Sequence, residues 1–550
     1  MRKWLLVCAC WALTCVAIAD VSHVWVADKG DGTYRNPILH ADYSDPDVIR
    51  VGKDFYMTAS SFDAIPGLPV LHSRDLVNWE LIGHALPQQP PVEVYSRTQH
   101  GNGVWAPAIR RHNGTYYIFY PDPDFGIYRV TAQDPAGPWS APLLIKQVKG
   151  WIDPCPFWDD DGHAYLISAM SASRSALKST LILSRMAPDG SRLLDEGALV
   201  YDGHAQVDPP AQESTNDHNR PVSHKPDDPT VEGPKLYKRN GFYYIFAPAG
   251  GVPQGWQLAL RSRNIYGPYE RRVVLSKGST NVNGPHQGAW VDTAAGESWF
   301  VHFQDKGPYG RVVHLEPMKW VDDWPVIGND GMPVASYRKP NVGEPPPPRA
   351  TPADSDEFNR PTLGLQWQWQ ADPKPAWAFP SAALGSLRLY AIPPPEGAHN
   401  LWEVPNLLLQ KLPAPQFTVT AKITFDARVP DDRVGLVVMG SDYSYLGVRK
   451  KADGLYLSQS ICKDADQGAA ERESAAVELP GSTFYLRVRI TADALARFSY
   501  SANGTDFEEI GEPFALKQGR WIGTKIGLFA LGTTPVSEYG YADVDWFRVQ

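Results

Sequence analysis

A glycine turn followed by alternating apolar and aromatic residues recurs five times: VGKDFYMTAS around Gly52, HNGTYYIFY around Gly114, DDGHAYLISA around Gly162, RNGFYYIFAPA around Gly241 and AAGESWFVHF around Gly296. Each copy carries the turn-plus-strand signature of a β-hairpin. The intervals of 62, 48, 79 and 55 residues each leave room for about four short strands. A second echo, SRDLVNW, DPAGPW or NIYGPY, follows within most units. Four-stranded units repeated around an axis solve the exposed-edge problem of β-sheets, so the repeat predicts an all-β chain that begins with a five-bladed propeller.

The repeat does not fill the chain. With 550 residues the sequence exceeds the ~250–300 at which single cores stop growing, so a second domain is expected. Glu344 is followed by Pro345-Pro346-Pro347-Pro348, a stiff run unable to pair in a sheet. We place a linker at 341–353, the propeller at 20–340, and a C-terminal β-sandwich of jelly-roll or concanavalin-like type at 354–550. The sandwich is read from alternating segments such as FTVTAKITF, FYLRVRITA and YADVDWFRV. The polar stretch 202–230 reads as a loop inserted in the fourth unit.

Met1-Arg2-Lys3, an apolar run to Ile18, and Ala17-Ile18-Ala19 before Asp20 form a secretory signal peptide over 1–19, implying a secreted or periplasmic protein with no membrane attachment after cleavage. Of five cysteines only Cys155 and Cys462 lie beyond that leader, too few for a disulfide framework. With 52 Lys+Arg against 61 Asp+Glu, a net charge of -9, nucleic acid is not an expected partner. The 19 Trp and 25 Tyr suit a surface that stacks on sugars.

The chemistry falls in phase with the repeat. Counting back from each turn glycine, Asp45 stands 7 residues before Gly52, Trp105 9 before Gly114, Asp153 9 before Gly162, Glu232 9 before Gly241 and His286 10 before Gly296. The first strand of each propeller blade lines the axis, so three carboxylates should meet around it. Pro after Asp45 and Asp153, and Gly-Pro after Glu232, belong at strand ends beside a cavity. Crowded carboxylates have their pKa values pushed apart. Glycosidic bond cleavage needs such a set: an acid to protonate the leaving oxygen, and a carboxylate that activates water or attacks the sugar. A third carboxylate can orient and tune the acid.

The motifs RNPILHADYSDPDVIRVGKDFYM, GVWAPAIRRHNGTYYIFY, GWIDPCPFWDDDGHAYL, TVEGPKLYKRNGFYYIFAPAGG and PHQGAWVD with YGRVVHLEPMKW resemble glycoside hydrolase family 43, which includes β-xylosidases and α-L-arabinofuranosidases. The resemblance implies an inverting enzyme with Asp45 as general base, Glu232 as general acid, and Asp153 orienting the acid and raising its pKa. It implies that Arg311 reaches the first sugar subsite near the acid, that Phe62 and Trp105 form the apolar wall, and that His286 faces a metal, usually calcium, or water in the axial channel. No cofactor is required; the only metal implied is that structural calcium. SDEFN and ADVDWF resemble the concanavalin-like tail of the xylosidase branch, in which a sandwich loop helps close the pocket.

The expected function is exo-removal of terminal β-D-xylose or α-L-arabinofuranose from hemicellulose-derived oligosaccharides, with xylose favoured by the tail. Asp47, directly after Asp45-Pro46, is a rival for the base. Two other readings compete: a retaining fructosidase-type propeller, against which stands the absence of an N-D-P-N-G start, and a sugar-binding propeller without catalysis, against which stand three intact carboxylates.

Overall fold

The computed structural model describes residues 21–204, 228–533 and 539–550; the expected leader and most of the 202–230 insertion lie outside the described residues. Five antiparallel sheets of four strands follow one another, each built from consecutive strands. Blade I comprises Asp47–Val51, Asp54–Thr58, Gly67–Ser73 and Trp79–Leu86. Blades II, III, IV and V begin with Ala108–His112, Trp151–Trp158, Lys235–Arg239 and His286–Asp292. These first strands lie against one another from blade V to I and on through I, II, III and IV, which makes them the inner ring.

Period-2 alternation gives each blade two apolar faces, and each face packs against the next blade. Leu68 and Val70 of blade I meet Ile109 and Ile118 of blade II, Phe119 meets Leu166 of blade III, and Ile167 meets Ile245 of blade IV. Phe246 then meets Phe300 of blade V, and Trp299 and Val301 return to Val48 and Phe55 of blade I. No blade borrows a strand from the far end of the ring. The ends are tied instead by a ribbon in which Thr33–Arg35 pairs with Ser336–Arg338, and by a bridge from Leu39 to Val313.

Beyond the propeller, two eight-stranded antiparallel sheets form the sandwich. Their inner faces close over one core that includes Val419, Ile423, Leu436, Leu486, Leu528 and Phe547. The proline run is strandless and exposed, and the segment after it folds back on blade I, where the Ala350 amide donates to Asn78 Oδ1 at 3.3 Å. The sandwich is docked on the ring through backbone hydrogen bonds. Ile65 and Trp369 exchange both of theirs, Asp372 N donates to Tyr95 O, and Thr524 N donates to Pro308 O at 2.7 Å.

Candidate active site

The repeat phase does converge. Asp45, Asp153 and Glu232 line one cavity with Phe62, Trp105 and Arg311. Asp45 precedes the first strand of blade I, Asp153 sits in that of blade III at a break in register between Ile152 and Cys155, and Glu232 stands just before that of blade IV. The backbone is left-handed at Asp45 (φ 57°), Asp153 (φ 56°), Gly233 (φ 57°) and Gln287 (φ 40°). Non-glycine residues held there cost ~1–2 kcal/mol each, strain that accumulates at functional sites. Here it turns each chain out of the sheet so that its side chain enters the cavity.

Donors fix the Asp45 carboxyl group. Its Oδ2 accepts from Ser44 Oγ at 2.7 Å and Ser60 Oγ at 2.5 Å. Arg311 Nη1 donates to Ser44 Oγ at 2.7 Å and lies 3.4 Å from both Asp45 oxygens. Among the described residues Oδ1 has only the long arginine contact. Arg311 thereby enters the cavity from the side of the expected base.

Asp153 is only 2% exposed. Its Oδ2 accepts from Gly233 N at 2.7 Å and faces Gln287 Nε2 at 3.4 Å. Burial first, then the charge of Glu232, raises its carboxyl well above the carboxylate range, with Asp45 adding to the effect. Asp153 thereby resists losing its proton. The upward shift falls on Asp153, the deeper carboxyl. Glu232 is more open, with a side chain 26% exposed.

His286 is fully buried and its Nε2 lies 2.9 Å from Glu232 Oε1. Its Nδ1 has no partner among the described residues. The expected calcium has little to hold it: one imidazole nitrogen is a poor match for a hard cation taking ~6–8 oxygens. Among the described residues the one group able to gather three ligands is His302, His314 and Glu316 in blade V, which excludes His286. Its two imidazoles and one carboxylate do not suit calcium either.

Asp47 does not line the cavity. It is fully buried, 2.6 Å from Arg110 Nη1, and accepts the Ile109 amide at 2.7 Å. With its Oδ2 committed to that pair and the whole carboxyl group buried away from the cavity, it is a tie between blades I and II rather than a base.

Phe62 and Trp105 form one wall because Phe62 and Val104 exchange backbone hydrogen bonds. Gly103 makes the approach feasible: at φ 93°, a Cβ there would fall 2.4 Å from Phe62 O. Five further lining residues, Ala106, Ile152, Val252, Gln287 and Trp521, were missed in the sequence. Trp521 comes from the sandwich, meets Trp105 edge-on at 6.4 Å, and stays 51% exposed. The empty space, including its open mouth, is about 480 Å³.

A five-bladed ring with a strained cluster of carboxylates facing an aromatic-walled cavity defines a propeller glycosidase. Residues 34–325 match glycosyl hydrolases family 43, and 355–550 match the beta xylosidase C-terminal concanavalin A-like domain. The chain belongs to glycoside hydrolase family 43. It is 31% identical over 576 residues to a beta-xylosidase of Formosa agariphila, covering 94% of this chain and 90% of that one. It is 27% identical over 567 residues to a non-reducing end alpha-L-arabinofuranosidase of Bacteroides ovatus, covering 97% and 98%. The crystal structure of a family 43 protein of Bacillus licheniformis superposes with a TM-score of 0.79 at 26% identity, over 94% of this chain and 99% of that one.

Proposed function

We propose that the protein is an exported, exo-acting, inverting glycosidase that removes terminal β-D-xylose, with α-L-arabinofuranose as the second substrate of the same pocket. The observation that carries this reading is the meeting of Asp45, Asp153 and Glu232 in one small cavity walled by Phe62, Trp105 and Trp521. A sugar ring seats its apolar face on these aromatics, and the limited volume favours one terminal residue over an internal segment of polymer.

Asp45 takes a proton from water as the water oxygen bonds to the anomeric carbon. Glu232 gives its proton to the departing glycosidic oxygen, the bond to the aglycone breaks, and the configuration inverts. Arg311 and the two serines hold the base in place. Asp153, buried behind the acid, opposes loss of a proton from the pair. Xylose is favoured over arabinofuranose by the xylosidase-type tail and by the higher identity to the Formosa agariphila protein than to the Bacteroides ovatus one. Export rests on the leader-like N-terminus.

Release of p-nitrophenol from the β-D-xylopyranoside and the α-L-arabinofuranoside, measured side by side with Glu232→Ala as control, tests the reading. Faster turnover of the xyloside is expected. Silence on both would favour the sugar-binding propeller instead.

A further inference from the structure

We propose that Asp42 is a positioning residue that locks the sandwich loop carrying Trp521 onto the strand start carrying Arg311, so that the pocket is complete only while the two domains are joined at this carboxylate. The proposal rests on the glycosidase reading for its kinetic consequence, but not for its structural one.

Asp42 is 6% exposed and spends its two oxygens on two domains. Oδ1 accepts the Arg311 amide at 2.9 Å; Oδ2 accepts the Gly523 amide, from the sandwich, at 2.8 Å. The junction is too tight for side chains. A Cβ on Gly310 would fall 2.5 Å from Asp42 Cγ, and one on Gly523 would fall 2.6 Å from Gly310 N. Next to it the Thr524 amide donates to Pro308 O at 2.7 Å, closing a second inter-domain bond around the same turn.

What this clamp holds is catalytic in location. Trp521 lies two residues before Gly523, with a left-handed backbone at φ 66°, and its ring is 6.0 Å from the Arg311 guanidinium carbon. On the other side, Asp42 lies three residues before Asp45, whose neighbour Ser44 takes the Arg311 guanidinium. One tetrapeptide, Asp42-Tyr43-Ser44-Asp45, therefore carries the expected base, the hydroxyl that steers Arg311, and the acceptor for the loop that caps the cavity. A carboxylate suits this place because it can accept from two amides at once. An asparagine of the same shape offers one acceptor and points an NH₂ at the other amide.

The test is Asp42→Asn, made in the full chain and again in the Trp521→Ala background. Removing a hydrogen bond to a charged group should lower kcat/KM on the β-xyloside by roughly 10- to 100-fold. In the Trp521→Ala protein the same change should cost clearly less, because one of the two groups it positions is gone while the Arg311 amide remains. Gly523→Ala, which crowds the same junction, should behave alike. Losses that multiply in the double variant, or an Asp42→Asn enzyme with unchanged kinetics, would overturn the proposal. Hydrogen–deuterium exchange over residues 519–525 supplies a readout that needs no substrate. Asp42→Asn should speed exchange there while the sandwich core stays protected, and unchanged exchange would overturn the clamp. Wild-type protein inactive on all pentosides but showing the exchange effect would remove the glycosidase reading and leave the clamp standing. Should Asp42→Asn fail to fold, Gly523→Ala carries both measurements.

Discussion

Asp153 holds its carboxyl in a place that water would not choose. Its folded-state value lies above the ordinary one, because of burial and then Glu232. From about pH 4 upward an unfolded chain gives up this proton, while the native site keeps it, so stability is lost as pH rises toward the native value. Asp153→Asn keeps an acceptor for the Gly233 amide and removes the titration. At pH 7 it should melt higher than wild type, by ~1–2 °C for each ~1 kcal/mol relieved in a domain of this size, with no gain near pH 3, and with turnover cut at least ~100-fold. Equal melting at pH 7 would contradict the assignment. The acid is tested by leaving group: Glu232→Ala should lose several hundred-fold or more on xylobiose, within the ~10²–10⁴ range of acid catalysis, and far less on activated aryl glycosides. Equal losses would count against it. Asp45→Ala should abolish both. These three residues were legible because the repeat put them in one phase. His286 was legible as a position but not as a partner, since its contact with Glu232 depends on how blades IV and V meet.

The inner strands of the propeller are tied by polar groups as well as by apolar ones. Asp47 of blade I holds Arg110 of blade II, whose other nitrogen sits 3.0 Å from Cys155 Sγ of blade III. Removing one partner of a buried pair costs about 3–5 kcal/mol. Asp47→Ala should therefore lower the unfolding midpoint in denaturant clearly, while the folded fraction turns over substrate at near-normal rates. A normally folded Asp47→Ala protein without activity would make Asp47 the base after all. From sequence, Asp47 looked like an acidic departure beside Asp45; only the register of blade I, Asp47 against Thr58, shows it facing the neighbouring blade.

At the scale of the molecule, the five blades were readable because turn glycines and period-2 alternation are local signals that repeat. The docking of the sandwich was not, because it is set by contacts between residues hundreds of positions apart. Trp521 shows the difference. Nothing around it in the sequence marks it as functional, yet the Ile65–Trp369 pairing and the Thr524–Pro308 bond bring its loop over the propeller axis, into the same cavity as Asp45. Trp521→Ala should raise KM on xylobiose about tenfold or more with little change in melting temperature, as fits an aromatic platform worth ~1–2 kcal/mol beside a desolvated sugar. Unchanged KM would place the loop outside the working site.

In the proposed mechanism base, acid and water meet in a single-displacement step, whose stereochemistry is written in the first product. Proton NMR of xylobiose hydrolysis, recorded within minutes of adding enzyme, should show α-D-xylose rising first from the non-reducing end and only later equilibrating with the β anomer. If β-D-xylose comes first, a carboxylate attacks the sugar rather than activating water, and the roles given to Asp45 and Glu232 are wrong.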